Sequence, residues 1–342
     1  MKAVCLKSKE AKDLAVVDVE VPEPGAGQVR VKVEAVGICG SDVSCVMGKA
    51  NFDWVERPRI LGHEYAGTVD AVGEGVDGFE AGQAVTSLAV QGCTDLDCEP
   101  CRTGNTQRCL KRRILGFHME GAMAEYVLVE ARHVMPLREG LGFVEGALVE
   151  PVSVASRHVL KGCEVEPGMR VVVSGCGIIG MLCALLARAC GAEVTVSGAE
   201  WDREVRLTKA AELGFGTVAV SEGASLASQL DGPADCLIEA SGAPPALSAS
   251  VDAVKWGGTI GVVATYPVEI EMPMTKVVRG EQRLQGTMAS AWDDFEAAMR
   301  HLEEGVIPVG GVVDEFELED AVAAFEGSID KSVMKGVLRT SC

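Results

Sequence analysis

Along the first ~145 residues, apolar and polar positions alternate in short runs. Val29 to Val36 alternates cleanly, which predicts a strand with one buried face. From Gly67 to Val85, glycines at 73, 75, 78 and 82 separate short apolar runs. Many short strands joined by glycine turns predict a β-rich, barrel-like domain. The period changes after about Glu150. Arg170 to Ser174 reads as a buried strand, and Ile178 to Cys190 as a helix stopped by Gly191. Glu193 to Ser197 is the next strand, Arg203 to Leu213 a helix stopped by Gly214, and Thr217 to Val220 another strand. Cys236 to Ala240 and Thr259 to Val263 follow as strands. Strands alternating with helices predict a parallel, doubly wound sheet. Past Arg279 the pattern is mixed, with helices at Trp292–Glu304 and Ala321–Gly327 and a last strand at Gly336–Thr340. On pattern alone this tail fits either domain.

Composition narrows the class. At 342 residues, two domains are the first expectation, and 48% apolar with 24% charged residues is ordinary for a globular protein. Lys and Arg number 31 against 50 Asp and Glu, a net charge of −19. A chain this acidic repels phosphate backbones and anionic lipid, which argues against nucleic acid and membrane surfaces as partners. The richest apolar stretch, Ile178 to Ala187, is about half the ~20 residues that span a bilayer. Charges crowd the first ten residues, where a signal peptide needs an apolar core. The 13 cysteines are an odd count, with four between Cys93 and Cys109 and the rest scattered. That usage predicts a reducing cytoplasm and one metal cluster rather than a disulfide framework.

Three patterns carry chemistry. Gly175-Cys-Gly177-Ile178-Ile179-Gly180 follows a predicted strand and opens a predicted helix. Its glycines suit a tight turn, close approach of a pyrophosphate, and helix-on-strand packing, with the phosphates at the helix N-terminus. The next strand ends at Gly198 rather than at a ribose-binding acid, and the first acids are Glu200 and Asp202. Gly198 leaves room for a 2′-phosphate, but Glu200 repels one and Arg203 is the only nearby compensating cation, so NAD is favoured over NADP. Second, Cys93-x4-Cys98-x2-Cys101-x7-Cys109 offers four thiolates for a closed, structural tetrahedral zinc site. Asp95 is an alternative oxygen ligand should Cys93 point away. Third, Cys39, His63 and Glu64, with Glu150 before Pro151, provide a thiolate, an imidazole and two carboxylates. Three protein ligands plus water is a catalytic zinc pattern, and Asp42 suits the role of holding the imidazole from behind.

These motifs resemble the zinc-dependent medium-chain dehydrogenase/reductase family. Gly62-His63-Glu64-x2-Gly67-x5-Gly73-x2-Val76 matches that family's zinc signature without a gap, and Cys39-Gly40-Ser41-Asp42, the cysteine lobe, the glycine turn and Glu150-Pro151 follow in its order. The resemblance runs from Met1 to about Thr340. It implies an α/β protein: a GroES-like β-rich catalytic domain over 1–149, a Rossmann domain over 150–279, and a return to the catalytic domain over 280–342. It implies two zinc ions, one catalytic and one structural. Cys39 and His63 match catalytic ligands, Glu64 matches a carboxylate that binds the metal in some members and exchanges with water in others, and Glu150 sits at the third ligand position. Ser41 matches the hydroxyl that relays the alcohol proton, and Ser44 stands where several members keep a relay histidine. Cys93, Cys98, Cys101 and Cys109 match the structural site. Glu150 resembles the polyol branch, which implies oxidation of a secondary alcohol to a ketone with hydride transfer to NAD(P)⁺. Threonine or amino-alcohol oxidation, and a catalytically silent scaffold of the same fold, are the alternatives. A homodimer or homotetramer is also implied, built through the Rossmann sheet edge near Thr259 to Val263.

Overall fold

In the computed structural model, which describes residues 1–221 and 223–340, the chain divides into two compact units. The first comprises 1–153, 289–305 and 312–342, and the second 154–288 and 306–311.

The first unit is built on a seven-stranded sheet. Its spine is the strand Gln28–Gly37, paired antiparallel with Glu64–Val72, with Tyr126–Glu130 and with Gly336–Arg339. The predicted alternation is realised: Val29, Val31 and Val33 are fully buried, with the polar residues between them turned away. Tyr65, Leu115, Met123, Phe325 and Leu338 pack into the same core. Register brings Gly37 opposite Glu64 and Val337 opposite Gly37. A three-stranded sheet of Leu14–Asp18, Lys2–Leu6 and Arg59–Ile60 and a two-stranded pair, Val90–Gln91 with Arg113–Ile114, make up the rest of its β-structure.

The second unit is a parallel six-stranded sheet. Its order is Gly216–Val220, Glu193–Ala199, Arg170–Ser174, Ala234–Glu239, Val254–Val262, Arg283–Gly286. In the unit's own numbering this is 3-2-1-4-5-6, the doubly wound dinucleotide-binding order.

Several expectations are corrected. The segment Thr259 to Val263 is not a sheet edge. Val254–Val262 lies between Ala234–Glu239 and Arg283–Gly286, and the latter takes the edge. Four residues, two of them charged or amide, gave that edge strand no readable period. The expected boundary at 280 falls three residues before it, so the chain stays with the parallel sheet through Met288. The expected helix Arg203 to Leu213 is two pieces, a wider π-turn at Arg203–Leu207 and an α-helix at Thr208–Glu212, preceded by a 3₁₀ turn at Glu200–Asp202.

Candidate active site and metal centres

The cysteine lobe is assembled locally. Cys93 follows the short strand Val90–Gln91, Cys98 precedes the helical turn Glu99–Arg102, Cys101 lies within it, and Cys109 closes the 3₁₀ turn Thr106–Arg108. All four sulfurs lie within 4.8 Å of one another. Cys93–Cys101 and Cys98–Cys109 are each 3.8 Å apart. Four sulfurs held at about 2.3 Å from a tetrahedral zinc stand about 3.8 Å from each other, so the lobe fits that ion. Backbone N–H groups of Cys93 and Lys111 outweigh burial and bring Cys109 down to about 7. Cys93 points into the group. Asp95 instead accepts from Lys111 at 2.9 Å and from the Asp97 backbone at 3.1 Å. Beneath the lobe, buried His133 accepts the Gly92 N–H at 3.3 Å, and burial with Arg132 nearby pushes it down to about 4.

The second group is assembled from distant segments. Cys39 precedes the helix Gly40–Val46, His63 directly precedes the strand Glu64–Val72 that Glu64 opens, and their ligand atoms lie within 4.8 Å of one another. Asp42 Oδ2 accepts the Cys39 N–H at 3.0 Å, which fixes the helix start. Its Oδ1 faces His63 Nδ1 at 3.7 Å. Both atoms are buried without a hydrogen-bond partner. This leaves Nε2 to serve a metal and Asp42 to orient the ring. Burial works against the imidazolium, but Asp42, Cys39 and Glu150 prevail and hold His63 well above its ordinary range. A thiolate, an imidazole and a carboxylate are zinc donors, and the anions gathered around them would be balanced by a bound metal cation. Glu150, on the helix Phe143–Ser156, is 7% exposed and lies outside the tight group. Burial raises it to about 7. Ser41 sits half-buried on the first turn after Cys39.

One member of this site gave no sequence signal. Lys335, 1% exposed, donates to the Ile38 carbonyl at 2.9 Å and forms a buried ion pair with Glu64. A Cβ at residue 37 would stand 2.5 Å from Glu64 Oε2 and 2.9 Å from Lys335 Cε, so Gly37 makes the room for that pair. Only the antiparallel pairing of Gln28–Gly37 with Gly336–Arg339 brings Lys335 here, and no local spacing foretells it.

In the second unit the glycine turn joins the strand Arg170–Ser174 to the helix Ile178–Ala189, with Gly177 at its N-cap. Gly175 has φ +109°, and a Cβ there would come within 2.6 Å of the Ser241 nitrogen. A Cβ on Gly180 would overlap the Gly175 carbonyl. Such a close-packed cradle of backbone N–H groups fits a dinucleotide pyrophosphate. Arg203 is held by Glu200 through two bonds of 2.6 and 3.0 Å on the surface. Arg206, which the sequence pattern did not single out, brings Nη1 to 3.9 Å from the Cβ position of Gly177. Its Nε is buried with no partner. Asp202 accepts the Ala199 N–H at 3.2 Å, and its Cβ lies 3.2 Å from where a Gly198 Cβ would stand.

Known proteins share this arrangement. Residues 25–139 match the alcohol dehydrogenase GroES-like domain, and residues 179–304 match the zinc-binding dehydrogenase domain. The chain is similar to sorbitol dehydrogenase of Halalkalibacterium halodurans, at 32% identity over 89% of each chain. It is similar to L-galactonate-5-dehydrogenase of Escherichia coli, at 29% over 87% of each. A solved zinc-binding dehydrogenase from Sinorhizobium meliloti, bound to NADP, superposes with a TM-score of 0.88 at 27% identity, covering 99% of both chains. With its own thiolate, imidazole and carboxylate donors and its own phosphate turn, the chain belongs to the zinc-dependent medium-chain dehydrogenase/reductase family and is an NAD(P)-dependent alcohol dehydrogenase.

Proposed function

We propose that this enzyme oxidises a secondary hydroxyl of a polyol, sugar alcohol or cyclitol to a ketone, with NAD⁺ as the preferred coenzyme. The observation that carries the reading is the composition of the buried group: Cys39, His63 and Glu64 together, with the carboxylate of Glu150 beside them. The sorbitol and galactonate dehydrogenases among its relatives support the same substrate class. Zinc, when bound, supplies Lewis acidity that favours the alkoxide of a substrate hydroxyl, and the nicotinamide supplies the hydride acceptor.

The chain's own residues divide the remaining work. Cys39, His63 and one or both of Glu64 and Glu150 hold the catalytic zinc, and the four lobe cysteines hold a second, structural one. Asp42 fixes the His63 ring and its tautomer. Ser41 accepts the hydroxyl proton and hands it outward. Lys335 orients the Glu64 carboxylate through their buried ion pair. Gly175, Gly177 and Gly180, with the helix start at Ile178 and Ile179, bind the pyrophosphate, and Arg206 adds a cation beside them. Two features support NAD over NADP. Glu200 occupies Arg203, and the Asp202 side chain fills the space beside Gly198 where a 2′-phosphate would need a cation. The proposal includes self-association to a dimer or tetramer through the exposed edge at Arg283–Gly286, and a cytoplasmic setting that keeps the lobe thiols reduced. No helix among the described residues is long and apolar enough to cross a membrane.

The test is formation of reduced nicotinamide by purified enzyme. NAD⁺ and NADP⁺ are run in parallel against polyols, amino alcohols, threonine and simple alcohols. Turnover of polyols with NAD⁺, abolished by a chelator, is expected. Turnover confined to threonine or amino alcohols would displace the substrate class. Silence throughout, with zinc and coenzyme both bound, would keep the fold and move the search to rarer substrates, whereas silence with neither bound would leave a scaffold.

A further inference from the structure

An aromatic row leads away from the buried metal ligands. The His63 ring lies 5.4 Å from Phe117, and Phe117 lies 5.6 Å from Phe52 and 6.2 Å from Trp54. Trp54 in turn stacks on His118 at 4.5 Å. The row passes from a side chain that is 5% exposed to one, Trp54, that is 48% exposed. It therefore runs from the reacting centre to solvent within the first unit.

Cations gather around its outer half, and their partners are unusual. Arg57 donates to the Phe52 and Val55 carbonyls and, at 3.1 Å, to Cys45 Sγ. Arg112 donates to the Cys109 carbonyl at 3.1 Å, and Arg113 to the His118 carbonyl at 3.0 Å. Among the described residues none of these three guanidinium groups pairs with a carboxylate. The nearby acids Glu56 and Glu120 are both engaged by Arg59. His118 accepts the Ile114 N–H through Nδ1, which leaves its proton on Nε2. Burial and then Arg113, Arg112 and Arg59 lower its affinity for a second proton, so the charges it feels are all positive. A chain of net charge −19 thus keeps a cationic, donor-rich patch at the open end of this row. Guanidinium groups met by carbonyls and a thiol rather than by carboxylates retain donors for a carboxylate or phosphate, which they bind in a planar, charge-assisted fashion.

We propose that the substrate is an anionic polyol: a hydroxylated carbon chain bearing a terminal carboxylate or phosphate. Its carbon chain lies along Phe117 and Trp54, and its anion is held by Arg112, Arg113 and the His118 Nε2–H, with Arg57 reinforcing the field. This deepens the polyol dehydrogenase reading above and rests on it.

The experiment compares matched substrates on zinc-loaded enzyme with NAD⁺. Six-carbon aldonates form one arm and polyol monophosphates another. Each is set against the neutral alditol of the same carbon skeleton. One anionic arm is expected to exceed its neutral counterpart about 10- to 100-fold in kcat/KM, the worth of one or two charge-assisted hydrogen bonds. Which arm wins identifies carboxylate or phosphate. Arg112→Gln and Arg113→Gln should each lower the anion-to-neutral ratio about tenfold, through KM. Raising the salt concentration should lower the ratio on unaltered enzyme, which keeps the test valid if a variant fails to fold. Neutral alditols turned over as well as both anionic sets, at a ratio indifferent to salt, would overturn the anionic-substrate inference and leave the dehydrogenase reading standing. No turnover in any arm would overturn both.

Discussion

The cysteine lobe and the Cys39–His63–Glu64 group both gather metal ligands within 4.8 Å, yet they are built on opposite principles. The lobe draws all its ligands from residues 93–109, uses sulfur alone, and leaves three of its four cysteines partly exposed. The other group draws on segments that meet only through the sheet, and it mixes sulfur, nitrogen and oxygen. It is enclosed by buried charges: Asp42, Glu150 and Lys335. A local, saturated thiolate set holds a loop in shape. A long-range set with unequal donors and buried neighbours holds a reactive centre, and the charges around it are part of how it works.

That contrast can be broken by removing one ligand from each group. His63→Ala should lower kcat/KM on the order of 10³-fold or more, since a bound metal contributes several kcal/mol to the transition state. Metal analysis should show one zinc fewer per chain, with the lobe zinc retained. Cys98→Ser should do the reverse: lose the lobe zinc, open residues 93–113 to limited proteolysis, and change turnover far less. Equal loss of activity from both would mean that the lobe is not merely structural.

Buried charge is the next difference. Lys335→Met strands the Glu64 carboxylate and should cost about 3–5 kcal/mol in denaturant unfolding, with Lys335→Arg recovering much of it. The lobe offers no counterpart, and Lys111→Met beside exposed Asp95 should leave the unfolding midpoint unchanged. His133 probes the ground beneath the lobe. Its folded pKa of about 4 lies below the unfolded value, so the neutral imidazole stabilises the fold at neutral pH. That contribution is complete above about 6.5, declines as pH falls toward 4, and amounts to ~3 kcal/mol. Thermal unfolding followed from pH 7 to 4 should show this decline, and His133→Gln should remove that part of it. One substitution sharpens the comparison without removing a ligand. Asp42→Asn keeps the shape but weakens the hold on His63, and should reduce zinc affinity of the buried group about 10- to 100-fold while sparing the lobe.

The same contrast explains what could be read from the sequence. The lobe was legible because its spacing is its geometry: four cysteines in one loop leave few other arrangements. The strands Arg170–Ser174 and Glu193–Ala199 and the helix from Ile178 were legible because a buried parallel sheet needs unbroken apolar runs. Cys39, His63 and Glu64 were legible through resemblance to a family, since nothing local ties position 39 to position 63. Lys335 was illegible, because a lysine near a C-terminal strand reads as solvated surface until the sheet register is known. Arg206 was missed because Arg203 is the first cation after Gly198 and was the one weighed against Glu200. The π-turn at Arg203–Leu207 changes the phase, leaving Arg203 on the surface with Glu200 and Arg206 beside Gly177. The edge strand Arg283–Gly286 was invisible for want of apolar residues.

The pairing of Glu64 with Lys335 across 271 positions also sets a clock. At about 5–20 residues per second, the ribosome makes the lysine tens of seconds after the glutamate. Throughout that interval Gln28–Gly37 and Glu64–Val72 can pair, but the pocket that Gly37 opens has no ammonium group in it. The Glu64 carboxylate therefore waits for its ammonium partner until the strand at Gly336–Arg339 emerges and docks, so the buried ion pair is among the last contacts of the first unit to form. The lobe, whose ligands emerge within about one to three seconds of one another, needs nothing from the distant end of the chain.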